Sequence, residues 1–327
     1  MHIPDNYLSP STCAVVATAT VPVWTHSIRR IKAELPKEKI ALLGVGAAFS
    51  FVAMMFNVPM PGGTTGHAVG GTLIALLLGP EAACIAVTIA LLIQALLFGD
   101  GGILAFGANC FNMAFILPYV GYYAYKLTVR ILHADRLNAP ASCKMVAAGI
   151  GAYLGINAAA LAAAIEFGIQ PALFHTAAGV PLYCPYGLSI SIPAMMIGHL
   201  TIFGAAEVIF TVALYAFISR TSPGMLRDAA PVDISKKNSF PVYILLAILI
   251  AATPLGLIAS GTAWGEWEIS EIPTMTENFS WTSLFPDYSI SGLPDAVGYI
   301  LSAIIGVLLS IILFRLISAK MKSHTKY

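Results

Sequence analysis

The stretch Gly71-Thr-Leu-Ile-Ala-Leu-Leu-Leu-Gly-Pro-Glu-Ala-Ala-Cys-Ile-Ala-Val-Thr-Ile-Ala-Leu-Leu-Ile-Gln-Ala-Leu-Leu-Phe98 contains a single charged residue, Glu81. Apolar runs of about 20 residues are typical of helices that cross a lipid bilayer. The whole chain of 327 residues has this character, with 58% hydrophobic and 10% charged residues and a mean hydropathy of +0.82. Soluble domains carry about 25% charged residues. The sequence therefore predicts an all-α polytopic membrane protein.

Apolar runs predict nine membrane spans, near residues 10–28, 40–56, 68–79, 81–98, 103–125, 145–165, 188–218, 241–260 and 296–316. The third is short for a full crossing and the seventh is long, which a discontinuous or tilted helix would explain. With nine spans, all 17 Lys and Arg residues lie in the loops of one side, and the positive-inside rule makes that side cytoplasmic. We therefore expect a multi-pass cell-membrane protein with its N-terminus outside and its C-terminus in the cytoplasm. No cleavable signal peptide is predicted, because residues 1–28 contain no Lys or Arg.

A polar stretch after the seventh span divides the chain into two units. We predict a seven-helix core at 1–220, a cytoplasmic linker at 221–239 and a two-span C-terminal module at 240–327. The module contains a loop on the outer side, 261–294, that is rich in Trp and Glu. The Trp residues indicate anchoring at the membrane interface. The acidic residues either attract cations or form a solvated face.

The first two residues, Met1 and His2, predict a metal site. A free N-terminal amine, the amide nitrogen of His2 and its imidazole can close two fused chelate rings on one ion. One more imidazole completes a square plane of four nitrogens, which suits Ni(II), Cu(II) and low-spin Co(II). His2 is too large a second residue for efficient excision of Met1, so the amine is expected to stay on Met1.

The second imidazole is expected from His67. It ends the segment Asn57-Val-Pro-Met-Pro-Gly-Gly-Thr-Thr-Gly-His67, whose Pro and Gly residues fix the path of the backbone. This loop lies on the same predicted side as Met1 and His2. The alternative is that His2 and His67 are ordinary loop histidines, which are common and usually structural.

Further polar side chains lie in or beside the apolar spans. Four of them are candidates to orient the histidines and the N-terminal segment: Gln94, Asp100, Asn109 and Asn112. Asn109 and Asn112 share one helix face, and the alternative for them is hydrogen bonding between helices. A possible intramembrane polar pair, His199 and Glu207, lies eight residues apart in the seventh span. This pair is either a transient ion station or a contact with a partner.

Several motifs are absent from the sequence. The five cysteines form no C-x-x-C pair, so no thiolate metal site is predicted. There is no G-x-x-x-x-G-K-[ST], no H-E-x-x-H and no G-x-S-x-G. A membrane enzyme that uses His199 and Glu207 as an acid–base pair would lack a nucleophile. We therefore predict no enzymatic activity, and ATP for any active transport must be hydrolysed by another subunit.

Three segments in order, Met1-His2-Ile3-Pro4-Asp5, Asn57–His67 and Phe98-Gly-Asp-Gly-Gly-Ile103, resemble the CbiM/NikM family over about residues 1–220. Its members are substrate-binding membrane components (S components) of cobalt and nickel energy-coupling factor (ECF) transporters. The resemblance implies a seven-helix core whose metal ligands are the Met1 amine, the His2 amide and imidazole, and His67. The family usually has glycine where this chain has Asn6, and Asn also tolerates a left-handed turn.

The resemblance also implies partners and a function. The partners are a CbiQ/NikQ-like coupling subunit, a CbiO/NikO-like pair of ABC ATPases and the lipid bilayer, without nucleic acid. The expected function is ATP-driven import of Co(II) or Ni(II), which is the cargo, and no cofactor is expected. The square plane of nitrogens favours nickel slightly. The two-span module is similar in topology to the small CbiN/NikN subunit. The alternative function is an ion-coupled secondary transporter or channel without ATPases, which predicts polar residues through several spans.

Overall fold

A computed structural model describes residues 1–35, 37–61, 64–136, 140–227, 240–259, 261–266 and 279–323. Within these ranges the protein is helical apart from one short hairpin and the connecting segments. The helices are α1 Pro10–Glu34, α2 Lys37–Met54, α3 Gly71–Leu78, α4 Pro80–Ile93, α5 Phe106–Asn109, α6 Leu117–Ile131, α7 Ala141–Gly168, α8 Gln170–Leu173, α9 Leu188–Gly198, α10 Gly204–Thr221, α11 Phe240–Ala252 and α12 Asp295–Ser323.

Several of these helices continue through turns of a different pitch. The π-helical turns are Gln94–Phe98 after α4, Cys110–Ile116 between α5 and α6, and His199–Phe203 between α9 and α10. Short 3₁₀ turns are Pro223–Met225, Thr253–Ile258 and Pro286–Tyr288. The hydrogen bonding of a π turn is rare inside helices and occurs often at functional sites. The long seventh predicted span, 188–218, is thus one helical segment with a π turn inside it.

Five helical segments of the described chain are long and apolar enough to cross a membrane. These are Pro80–Phe98, Ala141–Leu173, Leu188–Thr221, Phe240–Ile258 and Asp295–Ala319, and Leu42–Met54 is a shorter apolar helix. This confirms the prediction of a mainly helical membrane protein. The count of seven spans plus two, and the side of the membrane on which each terminus lies, stay predictions.

The helix in the third predicted span, 68–79, is shorter than a full crossing, as the length of its apolar run indicated. The helix there, α3, has eight residues and is about 12 Å long, whereas the hydrocarbon core of a bilayer is about 30 Å thick. It ends at Gly79, whose φ of +99° is disfavoured for residues with a side chain, and α4 begins at once with Pro80. All eight residues are buried, so α3 is an internal helix packed against α4 and α6.

Small residues allow the helices of the core to approach closely. Gly121 of α6 lies against Thr72 of α3, and Gly151 of α7 faces the carbonyl of Gly121. Close contacts of this kind are typical of helix packing in membranes, where small residues replace large apolar ones at the interface. A glycine also allows close packing between the core and the C-terminal module, where the ring of Phe51 in α2 packs on Gly306 of α12. The module is therefore packed onto the core through α2 and α12.

A two-stranded antiparallel hairpin precedes α3. Strand β1 is Val58–Pro59 and strand β2 is Thr65–Gly66, with Val58 opposite Gly66 and Pro59 opposite Thr65. Thr65 also forms a parallel bridge to Ala263 of the C-terminal module. His67 follows β2 directly, so both the hairpin and the module fix the place at which the His67 backbone enters the bundle.

A buried carboxylate holds the start of α3. Glu207 of α10 is fully buried, and its Oε2 accepts hydrogen bonds from the backbone nitrogens of Val69 at 2.7 Å and Gly70 at 3.1 Å. The predicted pair of Glu207 with His199 is not formed, because the His199 Nδ1 lies 2.8 Å from the carbonyl of Met195 in its own helix. Buried backbone N–H groups require acceptors, and Glu207 is the acceptor for two of them.

We predict that Glu207→Ala destabilises the protein, because it leaves two buried N–H groups without their acceptor. Each such group costs about 1–3 kcal/mol. Thermal unfolding in detergent micelles, followed by tryptophan fluorescence, measures the loss. Glu34→Ala is the matched control, because Glu34 is exposed and pairs with Arg30 on the surface. The role assigned to Glu207 is wrong if both variants unfold at the wild-type temperature.

Candidate metal centre

The N-terminal segment is buried in the protein instead of extending into solvent. Met1 is 3% exposed, His2 is 2% exposed and Ile3 is fully buried. Chain termini are usually poorly ordered unless other parts of the protein hold them. A charged amine and an imidazole at such a depth require specific polar partners, since unpaired buried polar groups are costly.

Asn109 holds the N-terminal segment by both ends of its amide. Its Oδ1 accepts a hydrogen bond from the Ile3 nitrogen at 2.7 Å, and its Nδ2 donates to the Ile3 carbonyl at 3.0 Å. The Gly102 nitrogen donates to the same carbonyl at 2.9 Å. The backbone directly after His2 is therefore fixed on both sides, which limits where the His2 imidazole can lie.

The loop after the π turn of α4 supplies the remaining support. Asp5 accepts hydrogen bonds from the nitrogens of Ile103 at 2.9 Å and Leu104 at 2.7 Å. Gly101 has a φ of +86° and lies directly against the His2 side chain. A residue with a Cβ at position 101 would meet both a strained backbone and the imidazole. The Phe98–Ile103 segment thus contacts the first five residues and fixes their position.

His2 and His67 face each other. The Nε2 of His67 lies 3.2 Å from the Nδ1 of His2, and the ring centroids are 5.0 Å apart. Two nitrogens that occupy neighbouring corners of a square plane, each about 2.0 Å from the ion, are about 2.8 Å apart. The Nδ1 of His67 lies 3.2 Å from the Ala68 carbonyl. The tautomer with its proton on that Nδ1 donates to the carbonyl and leaves the Nε2 lone pair directed at His2.

Burial favours the neutral form of both imidazoles. Burial lowers the pKa of His2 to about 4, with the nearby N-terminal amine acting in the same direction and Glu266 opposing it. Burial, reinforced by the charges of His2 and the amine, lowers the pKa of His67 well below its usual value. A neutral imidazole is the form that binds metal ions. The pair therefore binds a cation without first losing a proton.

A network of three side chains lies beside His2. The Asp100 Oδ1 is 3.1 Å from the His2 Nδ1, and its Oδ2 accepts hydrogen bonds from the Tyr288 hydroxyl at 2.5 Å and the Gln94 Nε2 at 3.2 Å. Gln94 also donates to the Tyr288 hydroxyl at 2.8 Å. Burial raises the pKa of Asp100, although the hydrogen bond from Tyr288 opposes the shift. The network fixes the carboxylate next to the nitrogen that the chelate would use.

The N-terminal amine has its own partner. The nitrogen of Met1 donates to the Glu266 Oε1 at 2.6 Å, a contact that joins the first residue of the core to the loop of the C-terminal module. The amine is almost fully buried, whereas the Glu266 side chain is 21% exposed. The ion pair therefore joins a buried amine to a carboxylate that is partly exposed to solvent.

A cavity of about 500 Å³ connects these groups. Four carboxylates line it together with His2 and His67, and these are Asp5, Asp100, Glu266 and Asp287. Its lining contains no Lys or Arg within the described ranges. A cavity lined by one sign of charge raises the local concentration of ions of the opposite sign. The cavity is therefore suited to cations.

The structure brings together most of the predicted site residues. Met1, His2, His67, Gln94, Asp100 and Asn109 meet at one place. Asn112 does not join them, because its Nδ2 donates to Glu166 at 2.8 Å. Along the described part of the chain no cluster of three or more His, Cys, Asp or Glu is arranged to hold a metal ion.

Two residues of the site were not predicted individually. Glu266 and Tyr288 both belong to the loop of the C-terminal module, 261–294, for which the sequence indicated only an acidic, aromatic composition. Other residues of that composition, Trp267, Glu268, Glu271 and Glu277, lie outside the described residues, as does most of the predicted linker. No sequence signal identified which carboxylate reaches Met1, because the contact spans 265 residues.

Residues 2–225 match the family CbiM, described as cobalt uptake substrate-specific transmembrane region, and residues 238–323 match the PDGLE domain. The chain is 50% identical to the probable fused nickel transport protein LarMN of Lactiplantibacillus plantarum, over 96% of this chain and 97% of that protein. It is 45% identical to the fused nickel transport protein NikMN of Rhodobacter capsulatus, over 94% of each.

A solved structure also resembles the core. The crystal structure of a truncated transition metal transporter is 54% identical to this chain and superposes with a TM-score of 0.62, covering 67% of this chain and 99% of that one. The match supports the predicted resemblance, which is confirmed for both parts of the chain. The chain belongs to the CbiM family of cobalt uptake substrate-specific transmembrane regions and carries a fused C-terminal PDGLE domain.

Proposed function

We propose that this chain is the substrate-binding membrane component of an ATP-driven ECF-type importer of Ni(II) or Co(II). It captures the ion through the Met1 amine, the His2 amide nitrogen and imidazole, and the His67 imidazole. The observation that carries the proposal is the 3.2 Å separation of the His67 Nε2 and the His2 Nδ1 beside a buried chain terminus. A structural role alone gives no reason to bury two imidazoles and the chain's own amine in one part of the protein.

The chemistry of binding follows from these donors. The ion takes the place of a proton on the Met1 amine and of the amide proton of His2, so a doubly charged cation replaces two positive protons. The total charge of the buried site is therefore unchanged by loading. This matters because a buried site tolerates uncompensated charge poorly. The four nitrogens form a first shell that suits square-planar Ni(II).

Nickel is favoured over cobalt as the cargo for two reasons. The nitrogen set matches the planar geometry of Ni(II), and the two full-length relatives above carry names as nickel transport proteins. Affinity order alone would favour Cu(II), so selectivity depends on geometry and on the metal supply. The family as a whole is described as a cobalt uptake region. The same four nitrogens can also bind Co(II).

ATP hydrolysis is assigned to partner subunits, because the sequence lacks a phosphate-binding loop. The partners we propose are a CbiQ/NikQ-like coupling subunit and a CbiO/NikO-like ATPase pair. A carrier without ATPases would need polar side chains that continue through the bundle. The candidates for such a path are Glu207, Asn109 and Asn112, and each has another partner. Glu207 accepts hydrogen bonds from the nitrogens of Val69 and Gly70, Asn109 binds the backbone of Ile3, and Asn112 donates to Glu166.

The N-terminal amine gives the sharpest test. Two extra residues before Met1 move the amine out of chelate range, so the extended protein should lose tight nickel binding while it keeps its fold. Isothermal titration of purified protein in detergent, with the absorption band of square-planar nickel as a second signal, compares the two forms. Equal affinity of the extended and the native protein would falsify the proposed ligand set.

His67→Ala removes one of the four nitrogens and should weaken nickel binding by at least about 100-fold, since loss of a mere supporting contact already costs 10–100-fold. The same titration measures the effect. His175→Ala is the matched control, because His175 is exposed on a loop and its imidazole Nδ1 lies beside the carbonyl of Thr176, away from the site. Equal losses in both variants would show that the imidazole at position 67 has no special role.

Uptake should require the partners. Cells that express this chain alone should accumulate nickel only at the background rate, because nothing couples ATP hydrolysis to release of the ion. Co-expression with the coupling subunit and the ATPase pair should restore uptake, and replacing the phosphate-binding lysine of the ATPases should abolish it again. Radioactive nickel uptake measures all three cases, and full uptake by the chain alone would support a secondary carrier instead.

A further inference from the structure

The contact between the Met1 amine and Glu266 joins two units that lie far apart in the sequence. The Glu266 Oε1 lies 2.6 Å from the amine nitrogen, at a terminus that is 1% exposed. No other carboxylate of the described chain forms an ion pair with this nitrogen. The amine that the proposed site requires is therefore oriented by a residue from outside the core.

The position of Glu266 is itself fixed. Its backbone nitrogen donates to the Ala263 carbonyl at 3.0 Å, and Gly265 between them has a φ of +83°. The resulting tight turn needs glycine at that point. Ala263 is bridged to Thr65 of the core hairpin, and the ring of Trp264 lies 5.8 Å from that of Phe167. The turn is thus bound to the core on either side.

A second part of the same loop is attached beside the site. The Asn6 Nδ2 donates to the Phe279 carbonyl at 2.7 Å, and the Phe279 nitrogen donates to the Asn6 Oδ1 at 3.0 Å. The backbone of Asn6 has a left-handed φ of +70°, and its side chain forms both hydrogen bonds to Phe279. Two hydrogen bonds to one backbone unit fix direction as well as distance. The loop is therefore held at two places in the core, Asn6 and Thr65.

The chemistry of an amine ligand gives this carboxylate a role in both states of the site. A protonated amine carries three N–H groups, and one of them points to Glu266. When a metal ion replaces one proton, two N–H groups remain, and one of them can keep the same acceptor. Groups that accept hydrogen bonds from metal ligands orient those ligands and raise their affinity for the metal.

We propose that Glu266 is a positioning residue for the N-terminal amine, so that the loop of the PDGLE domain supplies part of the metal site. This inference rests on the proposed function, since it assumes that the amine binds the ion. It assigns a defined task to the fused domain, namely to orient the amine so that, once it has lost a proton, its lone pair is directed at the ion held by the His2 and His67 nitrogens.

The first experiment titrates Ni(II) into full-length protein with its native N-terminus, comparing wild type with Glu266→Ala and Glu266→Gln. We expect Glu266→Ala to lower affinity by about 10-fold, the lower end of the range for such contacts. Glu266→Gln should lose less, because its amide oxygen still accepts a hydrogen bond. Asp295→Asn is the control, since Asp295 is an exposed carboxylate of the same domain. Wild-type affinity in Glu266→Ala would overturn the inference.

Combining Glu266→Ala with two other changes distinguishes an effect on the position of the amine from a general effect on the structure. In His67→Ala, the change Glu266→Ala should cost the same factor as in wild type, because Glu266 acts through the amine and not through His67. In the protein with two extra N-terminal residues, the residual binding by the two imidazoles should not change. An equal loss in the extended protein would show that Glu266 merely supports the fold, and would overturn the inference.

A measurement without metal completes the test. The rate at which an acylating reagent modifies the Met1 amine, read by mass spectrometry of the N-terminal peptide, should rise several-fold in Glu266→Ala and stay unchanged in Asp295→Asn. An unchanged rate would show that Glu266 does not hold the amine. If instead wild type binds no nickel, or binds it equally with the extension, the proposed function fails independently of Glu266.

Discussion

The site depends on the burial of the chain's own first residue. Met1 at 3% exposure and His2 at 2% cannot stay inside an apolar bundle unless their polar atoms have partners. Asn109 satisfies the backbone that follows, Asp100 lies beside His2, and Glu266 neutralises the amine. Each of these side chains comes from a different part of the chain. The burial of a few N-terminal atoms thus explains why helix ends, loops and the C-terminal domain converge at one end of the bundle.

Two features of the backbone make this convergence possible. The π turn at Gln94–Phe98 ends α4 just before the glycine-rich loop that receives the N-terminus, and the short α3 begins just after His67. Because α3 is internal, its N–H groups need acceptors inside the protein, and Glu207 supplies one. The short helix is therefore part of the construction that holds His67, and its length reflects that task more than membrane thickness.

The sequence was informative where chemistry is local and less so where contacts are distant. Apolar runs predicted the long helices, and the pairing of Met1-His2 with His67 followed from the donor atoms alone. The shortness of the third predicted span, 68–79, was visible in the sequence, but its burial on all sides was not, because hydropathy does not distinguish a helix buried by protein from one that faces lipid. Asn112 was grouped with Asn109 on helical spacing, but the π turn that begins at Cys110 separates their environments. Glu266 could not be predicted from the sequence, since composition identifies an acidic loop but not which of its carboxylates contacts Met1.

A ligand that is the chain terminus has a consequence for gene expression. The proposed ligand set requires that translation begin at the codon for Met1 and that the amine be left free afterwards. A start codon a few triplets upstream, or retention of a blocking group on the amine, would yield the same helices without the proposed ligand. The choice of initiation site and the enzymes that process new chains therefore act on metal binding as directly as a mutation of His67 would.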